Sequence, residues 1–438
     1  MNIFPQKRPF NPATYAPGIN DAEPFYGLPA TIEFCSRCTI SNQRPNSTVE
    51  FQNSAKAKKQ TINFDDAGIC DACRVTEQKH HQINWEDRRE ELIILCDKYR
   101  RTDGRYDCIV PGSGGKDSAF ASHVLKAEFG MHPLTVTWAP HIYTDWGWKN
   151  FQAWIHSGLD NYLITPNGRA TRLLARLALE TMFHPFQPFI IGQRNVSPRL
   201  ALQYDVPLVF YGENQAEYGN PIATNASALQ DQAFFMSQKK PEEMMLGGTE
   251  VGRLIRDFGL ELADLALYLP IKPEAFENKS VDVHYLGYYL KWHPQGAYYY
   301  AAEHCGFEAA PERSAGTFSK YSSIDDKMDD LHYYTTFIKF GIGRATYESC
   351  QDLRAGDIDR EEAIALVKRF DGEFPDRFID ELLNYLSIPE DHFPIASRQF
   401  EQPVIDPEYF NDLTNTFRSP HLWAYNKDQW SLKNEVFK

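Results

Sequence analysis

The stretch "YDCIVPGSGGKDSAF", residues 106–120, sets Gly112, Ser113, Gly114 and Gly115 between an apolar strand-like run and a helix-like run. At such a junction the first backbone N–H groups of the helix are unpaired, and together with the helix dipole they suit an anion. Glycines let a phosphate approach the backbone, Ser113 and Ser118 add hydroxyl donors, and Lys116 adds a charge. Asp117 either holds a magnesium ion or fixes the loop. The nucleoside-triphosphatase pattern G-x-x-x-x-G-K-S/T is not met, because Asp117 follows the lysine and Val110 stands where the first glycine belongs.

A second constellation is made of thiols. Cys35-x-x-Cys38 and Cys70-x-x-Cys73, in "FCSRCT" and "GICDAC", supply four thiolates at the spacing of a tetrahedral zinc site. An iron–sulfur cluster or a redox pair uses the same spacing. With four protein ligands a zinc ion would be structural, since no position is left for water. Cys96, Cys108, Cys305 and Cys350 read as buried thiols. Gly68-Ile69-Cys70-Asp71-Ala72 half-matches the G-x-C-x-G elbow of glutaminases but lacks its second glycine.

Further candidates lie at strand ends and in the C-terminal half. "GENQAEYG" follows a strand, so Glu213 and Glu217 are expected at the carboxyl edge of a sheet, as magnesium ligands or as a base, with Asn214 and Gln215 as sugar hydrogen-bonders. Thr137 and Trp138 end the second strand, where adenine is expected in a sheet of this kind. Lys320, Lys339 and Arg344 are cations suited to a pyrophosphate or a sugar diphosphate, with Lys339 also placed among the catalytic candidates. Asp325, Asp326, Asp329 and Asp330 read as a solvated or ion-paired face in preference to the alternative, a second metal site, and His184 as a packed residue.

The elements that must position these groups follow from periodicity. Residues 1–30, rich in proline and aromatics, read as an arm laid over a surface, and residues 31–100 as a four-cysteine module with a linker helix. Residues 101–270 alternate strand and helix: "DCIV", "PLTVTW", "NYLIT" and "VPLVFYGEN" are strands, with helical stretches between, which is a doubly wound α/β domain with a parallel sheet. Residues 271–438 read as helical, with Ile324, Met328, Leu331, Tyr334 and Ile338 at helical spacing and a helix start at Asp359 and Glu362. The net charge of -14 over 438 residues disfavours a nucleic-acid partner. No run of about 18 apolar residues is present and the N-terminus has no signal-peptide pattern, so a cytoplasmic protein without a membrane partner is expected.

"SGGKDS" resembles the loop of the PP-loop ATP pyrophosphatases, of the adenine nucleotide alpha hydrolase-like fold, which cleave ATP between the α and β phosphates. That resemblance implies ATP and Mg²⁺, with a carbonyl-type oxygen of the substrate attacking the α-phosphate and a nucleophile then displacing AMP. Two classes combine such a loop with a zinc knuckle. A tRNA-modifying, thiolation-type enzyme is the alternative, against which the acidic charge stands.

The order "CSRCTIS", "GICDACR", "SGGKDS", "YGENQAEYGNP", "GTFSKYSSIDDKMDDLHYYTTFIKFGIGR" and "REEAIALVKRFDGEFP" resembles the N-acetyl sugar amidotransferases of lipopolysaccharide O-antigen and nonulosonic acid biosynthesis. The resemblance implies conversion of an acetamido group, on a UDP-type nucleotide-linked sugar, to an acetamidino group through an O-adenylyl imidate attacked by ammonia. It also implies a separate glutaminase subunit of the histidine-biosynthesis type, with a cyclase-like companion. Asn2 stands where an N-terminal nucleophilic cysteine would, so ammonia is expected from outside the chain, with the Pro-rich arm or the aromatic tail as the docking region.

Overall fold

Short apolar runs separated by amphipathic ones fold as parallel strands with helical crossovers, because each face of the sheet needs a cover. In the computed structural model, which describes residues 10–19, 22–387 and 404–437, this is the central motif. Five strands, β1 (Cys108–Pro111), β2 (Pro133–Trp138), β3 (Asp160–Ile164), β4 (Leu208–Tyr211) and β5 (Asp282–Tyr285), lie in the order β3-β2-β1-β4-β5. Every neighbouring pair is parallel. The helices that place the site are α1 (Asp71–His81), α2 (Trp85–Tyr99), α3 (Lys116–Ala127), α4 (Asp145–His156), α5 (Gly168–Met182) and α6 (Gln187–Tyr204).

Strand alternation sends side chains to two cores. Ile109 and Val209 join Leu173, Leu177 and Val196 of α5 and α6 on one face. Cys108, Val110, Leu208 and Phe210 meet Leu92 of α2 and Val124 and Leu125 of α3 on the other. This is the doubly wound α/β class expected from the sequence. The strand order reverses between β1 and β4, whose residues Ile109 and Val209 pair directly, so the loops that follow these two strands open onto one crevice.

β5 corrects the sequence reading, because it lies beyond residue 270, where strand signals fade. Only Val281, Val283 and Tyr285 alternate there with polar residues, a pattern too short to announce a strand, and pairing with β4 is what selects it. The helix Met328–Phe340 ends at Gly341, whose φ of +67° suits glycine, and the helix Arg360–Phe370 opens on a reciprocal capping box of Asp359 and Glu362. The aromatic tail forms a hairpin, Trp423–Asn426 with Gln429–Leu432. The N-terminal arm is laid over it: the Phe10 and Tyr15 rings pack on Trp430 at 5.6 and 4.9 Å, and Tyr15 Oη donates to the Arg418 carbonyl at 2.7 Å. Pro5 and Pro9 of that arm lie outside the described residues. Among the described residues no helix is long and apolar enough to cross a membrane.

Candidate active site and four-cysteine centre

The loop after β1 is a cradle with no room for a side chain at two of its glycines. Gly114 has φ +86°, and a Cβ there would sit 2.7 Å from the Phe151 Cα; at Gly112 it would sit 2.1 Å from the Ser118 Cβ. Gly115 N-caps α3 without a side-chain hydrogen bond, so the first N–H groups of a twelve-residue helix are left to a ligand. Lys116 Nζ donates to Asp117 Oδ2 at 2.6 Å, and Trp292 Nε1 donates to Asp117 Oδ1 at 2.9 Å. Asp117 is thus committed on both oxygens, which favours the loop-fixing alternative over metal binding. The unfilled glycine cradle and free donors fit the phosphates of ATP.

A cavity of about 700 Å³ opens in front of this loop. Glu213, on the loop after β4, reaches it, and burial pushes its carboxyl up to about 7, with the Asp117 charge adding and Lys116 opposing. Asp325, beside the Ser113 side chain, and Asp329 line the wall, and burial raises both carboxyls. Lys339 lies on the same helix ten residues after Asp329, about 15 Å farther along its axis at 1.5 Å per residue. Burial brings it down to about 7, with the Lys59 charge adding. Lys59 donates to Asn53 Oδ1 at 3.0 Å, and Glu50 lies 3.8 Å from His184 Nε2, both facing the cavity.

The four cysteines converge. Their Sγ atoms all lie within 4.8 Å of one another, with Cys35 to Cys73 at 4.0 Å and Cys38 to Cys70 at 3.8 Å. A tetrahedron with Zn–S bonds of about 2.3 Å separates its sulfurs by about 3.8 Å, so the donor set fits one such ion. The backbone N–H groups of Arg37, Cys38 and Cys70 all point at Cys35 Sγ. Cys350 packs against this module, its sulfur 3.1 Å from Thr39 Oγ1.

Residues 315–436 match the family described as LPS biosynthesis protein WbpG-like, C-terminal domain. The C-terminal region of this chain is thus similar to a WbpG-like domain. The match supports the N-acetyl sugar amidotransferase family. An uncharacterized protein of Methanocaldococcus jannaschii, MJ1599, is 36% identical over 84 residues, a segment that spans 19% of this chain and 29% of that protein. A solved structure, the U34-tRNA thiolase NcsA from Methanococcus maripaludis with its 4Fe–4S cluster, is 12% identical, covering 73% of this chain and 89% of that chain, with a TM-score of 0.29.

The WbpG-like domain and the loop after β1 share the cavity: Tyr321, Asp325, Asp329, Lys339 and Glu348 line it beside Ser113, Gly114, Gly115, Lys116, Asp117 and Ser118. Glu213, Gln215 and Trp138 also line it, the Trp138 ring lying over Gly192 of α6. The other expected residues are turned elsewhere. Thr137 is adjacent to Trp138 on a strand and so faces the opposite way, its Oγ1 accepting from Asn161 at 3.0 Å. Asn214 caps the turn that follows it, accepting from the Ala216 N–H at 3.0 Å. Glu217 accepts from Lys79 of α1 at 2.6 Å and ties the cysteine module to the sheet. Lys320 donates to the Pro311 carbonyl at 2.9 Å.

Arg344 is 1% exposed and is spent inside the WbpG-like domain, on Asp330 at 3.2 Å, Glu348 at 3.0 Å and the carbonyls of Ser322 and Ser323. It positions the cavity wall without touching the cavity. The four aspartates are not a solvated face, since Asp326, Asp329 and Asp330 are buried and Asp325 is in the wall; the ion-paired reading holds for Asp330 with Arg344. Sequence reasoning also passed over Glu50, Lys59 and Trp292, and it read His184 as a packed residue where the structure sets it in the cavity wall. These come from separate segments with no shared motif, and only folding brings them together.

Proposed function

We propose that the chain is an ATP-dependent, AMP- and pyrophosphate-forming amidotransferase that converts an acetamido group of an N-acetyl sugar, of the UDP-linked type, to an acetamidino group with ammonia from a partner glutaminase. One observation carries the reading: the phosphate cradle after β1 and the WbpG-like domain line a single cavity, as transfer between a nucleotide and a sugar requires. ATP supplies the adenylyl group that makes the amide oxygen a leaving group. The α3 N-terminus and Lys116 take the phosphates and stabilise charge on the departing pyrophosphate. Trp138 offers a face for adenine, and Gln215 a hydrogen bond to the sugar. Glu213, with its carboxyl near 7, is suited to take the proton released when ammonia adds to the activated carbon. Cys35, Cys38, Cys70 and Cys73 would hold a structural zinc ion.

The test is product analysis with ATP, Mg²⁺, ammonium chloride and either UDP-linked acetamido sugars or bulk tRNA. AMP and pyrophosphate are expected only with a sugar, together with a sugar product one mass unit lighter as C=O becomes C=NH. Formation of AMP only with tRNA overturns the reading in favour of RNA modification.

A further inference from the structure

Four aspartates within six residues of the WbpG-like domain meet two different fates. Asp326 accepts from the His141 backbone N–H at 2.7 Å and lies 2.8 Å from His141 Nδ1, and Asp330 accepts from Arg344 at 3.2 Å. These two have protein partners. Asp325 and Asp329 face the cavity instead. Asp329 is 7% exposed, and among the described residues no N–H or O–H donates to its carboxylate and no cation pairs with it. A carboxylate that is buried, aimed into a polar cavity and left without a partner needs either a proton or a cation.

The loop opposite supplies no alternative acid. Both Asp117 oxygens are taken by Lys116 and Trp292, whereas Ser113 of the same loop lies beside Asp325. Phosphates held at that loop would therefore meet Asp325 and Asp329 across the cavity. Magnesium is characteristically bound by one or two carboxylates, substrate phosphate oxygens and several waters.

We propose that Asp325 and Asp329 form a divalent-cation site, contributed by the WbpG-like domain, that takes Mg²⁺ between this domain and the phosphates bound at the loop after β1. Burial raises the proton affinity of both carboxyls, with the Asp326 charge adding at Asp325 and the Asp325 and Asp326 charges adding at Asp329, as expected of acids that await a cation. The site couples the two halves of the cavity: the ion is held fully only when the phosphates are present. The proposal rests on the ATP reading above for its phosphate ligands and on the chain's own aspartates for the rest.

The experiment is Mn²⁺ titration of the full chain, with its cysteine-bound metal in place, followed by electron paramagnetic resonance with and without α,β-methylene-ATP. One Mn²⁺ per chain is expected, tighter with the nucleotide. Asp329→Asn and Asp325→Asn should each weaken it by roughly tenfold or more, since even an outer-sphere change costs a metal site that much. Asp376→Asn, an exposed control, should not. In Mg²⁺-free buffer Asp329→Asn should melt no lower than the parent, because it removes an unpaired buried acid. Unchanged Mn²⁺ affinity in both variants overturns the site, as does displacement of Mn²⁺ by equimolar ammonium. If Mn²⁺ binds as expected but no sugar-dependent AMP forms, the site stands and the amidotransferase reading falls.

Discussion

At the scale of single residues, Lys339 and Gly114 make opposite demands. Lys339 is buried among Tyr26, Phe340 and the cavity wall, and its affinity for a proton falls from the ordinary 10.5 to about 7. Between those two values the unfolded chain binds a proton that the folded chain lacks, so stability rises with pH across that window. Below pH 7 both states are protonated and the full penalty applies. Lys339→Met should therefore stabilise the protein at pH 6, by up to roughly 5 kcal/mol, with the gain shrinking toward pH 10, as read by urea unfolding. Gly114 needs its positive φ and its missing Cβ, since Phe151 backbone stands 2.7 Å from where one would be. Gly114→Ala should cut AMP formation by roughly a hundredfold while circular dichroism and metal content stay unchanged.

At the scale of elements, the helix Met328–Phe340 and the helix Arg344–Ala355 are joined through Arg344. Its guanidinium reaches Asp330 on the first, Glu348 on the second, and the carbonyls of Ser322 and Ser323 ahead of both. Arg344→Ala leaves two buried acids without their cation, which is expected to cost about 3–5 kcal/mol. Arg344→Lys should recover little, because one ammonium cannot reproduce a fork of several donors. Thermal unfolding at constant pH checks both, and activity should fall with the wall that this arginine holds. A sequence can announce an arginine before a helix. It cannot say whether four acceptors from three separate segments will absorb it, and here they do.

At the scale of the molecule, the cysteine module contributes to the wall of the cavity. Arg44, Ser47, Thr48, Glu50 and Lys59, which lie between the two cysteine pairs, line it, and the Lys79–Glu217 pair locks the module to the sheet. Chelation of the metal should thus abolish turnover even at temperatures where the rest of the chain stays folded, and adding zinc back should restore it. Metal analysis should give about one zinc per chain without visible absorption, as a lone tetrahedral S4 site implies. Turnover that survives complete metal loss would show the module to be an independent appendage.

The phosphate loop, the four thiols, the first four strands and the Asp359 capping box were legible in the sequence because each is decided within a few residues, by local sterics, hydrogen bonding or ligand spacing. What only the tertiary structure decided is which charged side chains face the cavity. Glu217, Lys320 and Arg344 are claimed by partners 138, 9 and 14 residues away, whereas Glu213, Asp329 and Lys339 are left facing the cavity. The fifth strand belongs to the same class, because four residues acquire strand geometry only when β4 offers an edge. A buried charge takes whatever opposite charge or dipole packing brings within reach, and that depends on segments far apart in the chain.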